Sequence, residues 1–308
     1  MNTTASTPST RHEQGFELLV LRNECVEVVV VPELGGKVIS LKNLRTGRDW
    51  FETAQARRLF RNKPGDDFAT STLLGWDECL PTIAACRVNR RQLADHGEVW
   101  AVPWRVEKSS RDELRLSVDL VAADVRRLHL NSEKGSEPPH VGCYLRFIRT
   151  LSLAGPVLTA DYALTNESDS PEKFLWAMHP LITPCAGDRV ELMDEARQQL
   201  NAPWLDTLEF GADVPALAKI FARNLTEGRA AVVNDRSGES LRFEWNTAEN
   251  NALGIWLTRG GWNGCHHLAL EPTNAAADSL ADIDANDTRI FLAPHETKSW
   301  SVRLQLDS

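Results

Sequence analysis

The chain is short of the features that mark several large functional classes. Lysine and arginine number 34 against 43 aspartates and glutamates, a net charge of −9. The cationic surface that nucleic acids and anionic membranes select is therefore missing, and neither is an expected partner. No apolar run approaches the roughly 18 residues of a spanning helix, and the opening segment 1–14 is polar, so a cytoplasmic protein is expected. Six cysteines (Cys25, Cys79, Cys86, Cys143, Cys185 and Cys265) are scattered with no Cys-x-x-Cys pair, which argues for reduced thiols rather than zinc or a disulfide framework. The Gly-x-Ser-x-Gly elbow, the Gly-x-x-x-x-Gly-Lys-Ser/Thr phosphate loop and the Gly-x-Gly-x-x-Gly fingerprint are also lacking. Tyrosine is down to two, whereas there are ten tryptophans. Indole rings fill cores and also suit the flat apolar faces of sugars, and composition leaves both uses open.

What is present is alternation of period two. Val26, Val28 and Val30 lead to Pro32 and the Gly35-Gly36 turn; Leu114, Leu116, Val118 and Leu120 form a second run. Leu158, Ala160, Tyr162 and Leu164 form a third, and Trp300, Val302, Leu304 and Leu306 a fourth. Such runs bury one face of an antiparallel strand and wet the other. Turn signals separate them, at Thr46-Gly47, Ala154-Gly155-Pro156, Asn166 to Pro171 and Asp235 to Gly238. The pattern predicts an all-β, large antiparallel β-sandwich with few short helices. One helix is expected over 215–225, where Leu217, Ile220 and Phe221 share a helical face after Asp213. Without repeats, linkers or composition breaks, the organisation reads as a loose tail over 1–14 and a single domain over 15–308.

Four clusters put ionisable residues beside Trp, Gly and Pro: Gly75 to Pro81 (GWDECLP), Asp95 to Glu98 (DHGE), Trp176 to Pro180 (WAMHP) and His266 to Pro272 (HHLALEP). On strands, side chains alternate faces. Phe174, Trp176 and Met178 then share an apolar face, leaving His179 opposite with Ala177. His266 joins Leu268 and Leu270 as a core histidine, whereas His267 and Glu271 share the other face across small Ala269. An ionisable residue just before a proline at a strand end projects into a cleft, or else is a hydrogen-bonded rim residue. Asp77 and Glu78 are adjacent and point apart, so they cannot chelate one ion from one face. Beside Trp76 they fit a sugar site, since carboxylates accept hydroxyl protons next to an indole platform. His96 before Gly97 reads as a turn histidine. A metal would need His96, His179, Glu271 and an acid to converge; none is expected, and no organic cofactor either.

Taken together, these clusters resemble the aldose 1-epimerase (galactose mutarotase-like) superfamily over about 16–306. The matching stretches are 29–50 (VVVPELGGKVISLKNLRTGRDW), 75–86 (GWDECLPTIAAC), 95–104 (DHGEVWAVPW), 165–181 (TNESDSPEKFLWAMHPL) and 270–280 (LEPTNAAADSL). The resemblance implies a galactose mutarotase-like supersandwich with an open sugar cleft, interconverting the α and β anomers of a free hexose or related aldose. It implies His179 as the acid at the ring oxygen, Glu271 as the base at the anomeric hydroxyl and His96 as a sugar contact. Asp77, Glu78, Trp76, His267 and Trp100 are the further substrate-binding candidates. Opening a pyranose needs one proton removed and one supplied, and two positioned groups suffice. Two departures stand out. The family's sugar-binding acid has three competitors here, Asp188, Asp194 and Asp206. Trp100 stands where the sugar-phosphate branch carries an arginine, which removes a bidentate phosphate anchor and favours a neutral sugar, unless Arg61, Arg87 or Arg90 compensates. The rival functions are a non-catalytic carbohydrate-binding protein, and a glycoside-cleaving or lyase enzyme using the cleft carboxylates.

Overall fold

The alternating runs become strands in a computed structural model that describes residues 9–51, 58–88, 91–121, 143–208 and 214–308. In chain order these are β1 (Ser9–Glu13), β2 (Phe16–Arg22), β3 (Val26–Val31), β4 (Lys37–Asn43), β5 (Gly75–Cys79), β6 (Cys86–Val88), β7 (Arg91–Leu93), β8 (Arg105–Ser109), β9 (Glu113–Val121) and β10 (Cys143–Ala154). They continue as β11 (Val157–Asn166), β12 (Glu172–Lys173), β13 (Ala177–Leu181), β14 (Asp188–Leu192), β15 (Leu217–Ala222), β16 (Gly228–Asn234), β17 (Ser240–Trp245), β18 (Ala252–Arg259), β19 (His266–Thr273), β20 (Phe291–Leu292) and β21 (Thr297–Asp307). One short α-helix, α1 (Asp194–Gln199), and a few single 3₁₀ turns complete the described elements.

Two antiparallel sheets carry the fold. The first runs β1-β2-β3-β4-β5-β13-β19-β18-β15 and the second β14-β16-β17-β21-β11-β10-β9-β8. Val28, Val30, Leu41, Trp76, Met178 and Leu270 of the first sheet join Leu116, Phe147, Leu158, Trp300 and Leu304 of the second in one buried cluster. Fully burying each large side chain of this kind contributes about 1.5–3 kcal/mol. Seven of the tryptophans, Trp50, Trp76, Trp104, Trp176, Trp204, Trp245 and Trp300, belong to this core. Trp100, Trp256 and Trp262 do not.

Two expectations need correction. Residues 215–225 hold no helix: Leu217–Ala222 is β15, paired with β18 over six residues from Leu217 opposite Thr258 to Ala222 opposite Leu253. The spacing of Leu217, Ile220 and Phe221 fits a helix locally, but pairing along the sheet edge overrides it. Ser9–Glu13, expected within the tail, instead pairs with β2 as an exposed edge strand. Cys25, Cys79, Cys86, Cys185 and Cys265 are free thiols. None of the described helices is long and apolar enough to cross a membrane.

Candidate functional site

Residues that face inward on β4, β5, β13, β19 and β15 belong to the core, so their strand neighbours face outward. Val38 pairs with Trp76 and Asp77 with His179. Ala177 opposite Thr273 and Ile182 opposite Leu268 fix a register that puts His179 opposite Glu271. Glu271 pairs in turn with Gly254, and Gly254 with Phe221, two residues from Lys219. One outward row across six strands therefore carries Lys37, Asp77, His179, Glu271, Gly254 and, diagonally, Lys219.

The row is ionically paired from both ends. Lys37 Nζ, itself buried, donates to Asp77 Oδ2 and to the carbonyls of Thr72 (2.9 Å) and Leu74 (3.3 Å). At the other end Lys219 Nζ donates to Glu271 Oε2 and lies 3.6 Å from Asp278. His179 stands between the two pairs, its Nδ1 2.9 Å from Glu271 Oε1. Burial would raise the Glu271 carboxyl, but Lys219 and His179 outweigh it and hold it at about 2. Glu271 is thus a carboxylate at neutral pH and accepts the Nδ1 proton, which leaves Nε2 as the second imidazole nitrogen. Burial lowers the His179 pKa despite the pull of Glu271. Glu271 fits only because β18 has a glycine opposite: a Cβ on Gly254 would stand 2.9 Å from Oε2 and 3.0 Å from the Phe221 ring.

Aromatic rings wall this row. Phe68, in a 3₁₀ turn capped by Asp67, is fully buried and stacks on His96 with centroids 3.8 Å apart and planes within 8°. It meets His179 edge-on at 5.7 Å, and Trp262 lies beyond it at 6.4 Å. Trp256 sits 5.9 Å from His179 and 5.6 Å from Trp262. His96 is 5.1 Å from His179, centroid to centroid. A left-handed turn delivers it: His96 has φ +58° and Gly97 +75°, and the Gly97 backbone bridges to Leu80. Its Nδ1 is 2.9 Å from the Asp95 carboxylate, outside hydrogen-bonding alignment.

Among the candidates read from the sequence, His179, Glu271, His96 and Asp77 converge. Glu78 does not: it points between the sheets, its Oε1 accepting from Arg149 and Tyr162 (both 3.0 Å) and its Oε2 from Trp176 Nε1 (2.9 Å). Trp76 goes with it, fully buried, with the Arg149 guanidinium 5.0 Å from its ring. Neither is available to a ligand, because the alternation that aims Asp77 outward turns both inward. Trp100 packs edge-on against Phe68 at 5.1 Å and donates from Nε1 to the Asp95 carbonyl (3.1 Å), so it buttresses the wall. His267 is buried, its Nε2 3.1 Å from the Leu73 carbonyl; burial pushes its pKa down to about 4, so it stays neutral and anchors the 71–74 segment. His266, read as core, is exposed at the start of β19.

Asp188 lies in the second sheet, bound by Arg48 and Asn234, and Asp206 pairs with Arg197. Among the described residues no group of three or more His, Cys, Asp and Glu is arranged to hold a metal. Arg90, like His129 and His140, falls outside the described residues. Sequence reasoning missed Lys37, Lys219, Phe68, Trp256 and Trp262. For Lys219 the signal was hidden by the helical reading of its segment; for Trp256 it was present, since Gly254 and Trp256 alternate with core residues Leu253, Ile255 and Leu257.

No protein-family model and no curated protein sequence matches the chain. Solved structures do match it. A galactose mutarotase-like protein from Clostridium acetobutylicum superimposes with a TM-score of 0.67 at 14% identity, covering 98% of this chain and 99% of that one. A protein provisionally named an aldose 1-epimerase, from Escherichia coli K12, gives 0.66 at 16% identity, with 94% and 98% covered. A galactose mutarotase related enzyme from Lactobacillus acidophilus gives 0.64 at 14%, with 94% and 97% covered. The chain has the galactose mutarotase-like fold along essentially its whole length.

Proposed function

We propose that this galactose mutarotase-like chain is an isomerase of the aldose 1-epimerase type, exchanging the anomers of a neutral free aldose. The observation that carries the reading is the buried His179–Glu271 hydrogen bond beneath an aromatic wall. The two oxygens that change protonation in pyranose opening, the anomeric hydroxyl and the ring oxygen, are bonded to the same carbon. One acid and one base must therefore reach two oxygens of a single carbon, and His179 and Glu271 stand close enough together to serve one such carbon.

Glu271 takes the proton from the anomeric hydroxyl while His179 gives one from Nε2 to the ring oxygen. The C1–ring oxygen bond breaks, an open-chain aldehyde forms, and rotation before reclosure exchanges the anomers. His179 leaves the step neutral, its Nδ1 proton still held by Glu271. His96 hydrogen-bonds the sugar, Asp77 supplies a further acceptor in Oδ1, which is buried without a hydrogen-bond partner among the described residues, and Trp256 and Trp262 stack on apolar sugar faces. A neutral sugar is favoured because both lysines of the row are already committed to carboxylates.

The test is anomer exchange by NMR on a panel of aldoses and their 6-phosphates. Glu271→Gln and His179→Asn should each slow exchange by about 10²–10⁴-fold while sugar binding persists. Burial keeps His179 below its ordinary pKa of 6.5, so its acid form grows as pH falls; exchange should rise from pH 8 to pH 5. Saturable binding without exchange would replace this reading with a carbohydrate-binding protein. Unchanged exchange in Glu271→Gln would refute the assignment of the base.

A further inference from the structure

Lys219 lies on β15, the edge strand of the first sheet, where lysines commonly serve to keep edges solvated. This one does not extend into solvent. Its side chain is only 20% exposed and turns inward onto Glu271, with the Asp278 carboxylate 3.6 Å away as a second, looser ion-pair partner. The local packing is built for that contact, since the missing side chain at Gly254 leaves the space in which Glu271 Oε2 stands. Glu271 is fully buried and each oxygen has one polar partner, Oε1 on His179 and Oε2 on Lys219.

We propose that Lys219 is a positioning residue of this site: it fixes Glu271 as a carboxylate in a buried place and turns its Oε1 onto His179 Nδ1. The proposal deepens the isomerase reading and rests on it for its kinetic consequences. A carboxyl buried in this way would otherwise take up a proton. A protonated Glu271 could neither accept from the anomeric hydroxyl nor hold the His179 Nδ1 proton, and the imidazole would lose its fixed tautomer. The charged and titratable groups around Glu271 are His179 on β13, Lys219 on β15, Asp77 and Cys79 on β5, Lys37 on β4, His267 on β19, His96 at the turn before Gly97, and Asp278. Lys37 is spent on Asp77 and His267 stays neutral, which leaves Lys219 as the permanent cation in contact with Glu271.

The experiment uses two readouts on the full chain. The first needs no sugar: the Glu271 carboxyl carbon and the His179 ring nitrogens are followed by NMR from pH 3 to 8. In the wild type Glu271 should stay ionised across the range with His179 protonated at Nδ1. In Lys219→Met the carboxyl should titrate at least one pH unit higher and the His179 tautomers should mix, while Lys219→Arg should keep the wild-type pattern. The second is anomer exchange, where Lys219→Met should lower kcat by up to about 100-fold, a size typical of lost positioning. KM should change little, and the acid limb of the pH profile should move up. A wild-type Glu271 that titrates near 4.5, or a Lys219→Met variant with unaltered resonances and pH profile, would overturn the proposal. Where Lys219→Met does not fold, a wild-type Glu271 that titrates near 4.5 still overturns the proposal, and Lys219→Arg that loses the wild-type pattern does so too. Should no aldose exchange in the wild type, the isomerase reading fails on its own, and the NMR arm still judges Lys219.

Discussion

Asp77 and Glu78 are neighbours in sequence with opposite fates. Asp77 joins the outward row, bound to Lys37, and Glu78 is sealed between the sheets by Arg149, Tyr162 and Trp176. That they part company was legible from strand alternation alone; that Trp76 would leave with Glu78 follows from the same rule. His96 shows what a turn contributes at this scale. A Cβ on Gly97 would fall inside the Leu80 carbonyl, at a backbone φ of +75°. Gly97→Ala should therefore cost at least about 1–3 kcal/mol from backbone strain alone, read as a lower urea midpoint. It should also shift His96 off Phe68, which the ring-current shifts of His96 report, and slow anomer exchange. A variant with wild-type stability and exchange would mean that the turn does not position His96.

At the scale of elements, the candidate site was readable wherever strands were. His179 and Glu271 could be assigned to the outward faces of β13 and β19 because their neighbours Met178 and Leu270 are apolar. Lys219 could not, because Ala, Leu and Lys favour helix intrinsically and the spacing around Ile220 agrees with one. Only the pairing of β15 with β18 reveals that Ala218, Ile220 and Ala222 face the core and Lys219 and Phe221 the site. The same pairing makes a test of Gly254. Gly→Ala inside a strand is by itself stabilising by roughly 0.5–1 kcal/mol, but here the new methyl would press on Glu271 Oε2 and the Phe221 ring. Overpacking of that kind costs about 1–3 kcal/mol, so Gly254→Ala should fold with a modestly lower melting temperature. Its exchange rate should fall at least about tenfold, since small displacements of reacting groups are costly. Equal rates in Gly254→Ala and the wild type would show that Glu271 has more freedom than its packing implies.

For the whole molecule, alternation predicted a sandwich, but no local pattern encodes the order in which strands meet. β5 lies between β4 and β13, and β21 between β17 and β11; such neighbours are chosen by long-range packing. One polar contact pins the two sheets together and lies beyond any local reading. Arg149 on β10 reaches across the core to Glu78 on β5 and to the Gly36 carbonyl, between the rings of Trp76 and Trp104. Burial pushes the Glu78 carboxyl from an ordinary 4.5 up to about 7, against the pull of Arg149, Trp176 and Tyr162. A carboxyl raised on folding contributes stability that is complete below its unfolded pKa and is lost as pH climbs through the folded value. In the wild type that loss falls between about pH 4.5 and pH 7 and then levels off. Arg149→Met removes the cation that restrains the shift, so the folded pKa must rise further and the loss must continue above pH 7. The variant should be less stable by about 1–3 kcal/mol at neutral pH, the cost of leaving the buried groups that Arg149 bonded without their partner. Between pH 7 and pH 9 the gap to the wild type should widen by up to about 1.4 kcal/mol per pH unit. Urea unfolding of both proteins across that range measures it, and a gap that stays constant would mean that Glu78 is held by its neutral donors, Tyr162 and Trp176, rather than by the charge that bridges the sheets.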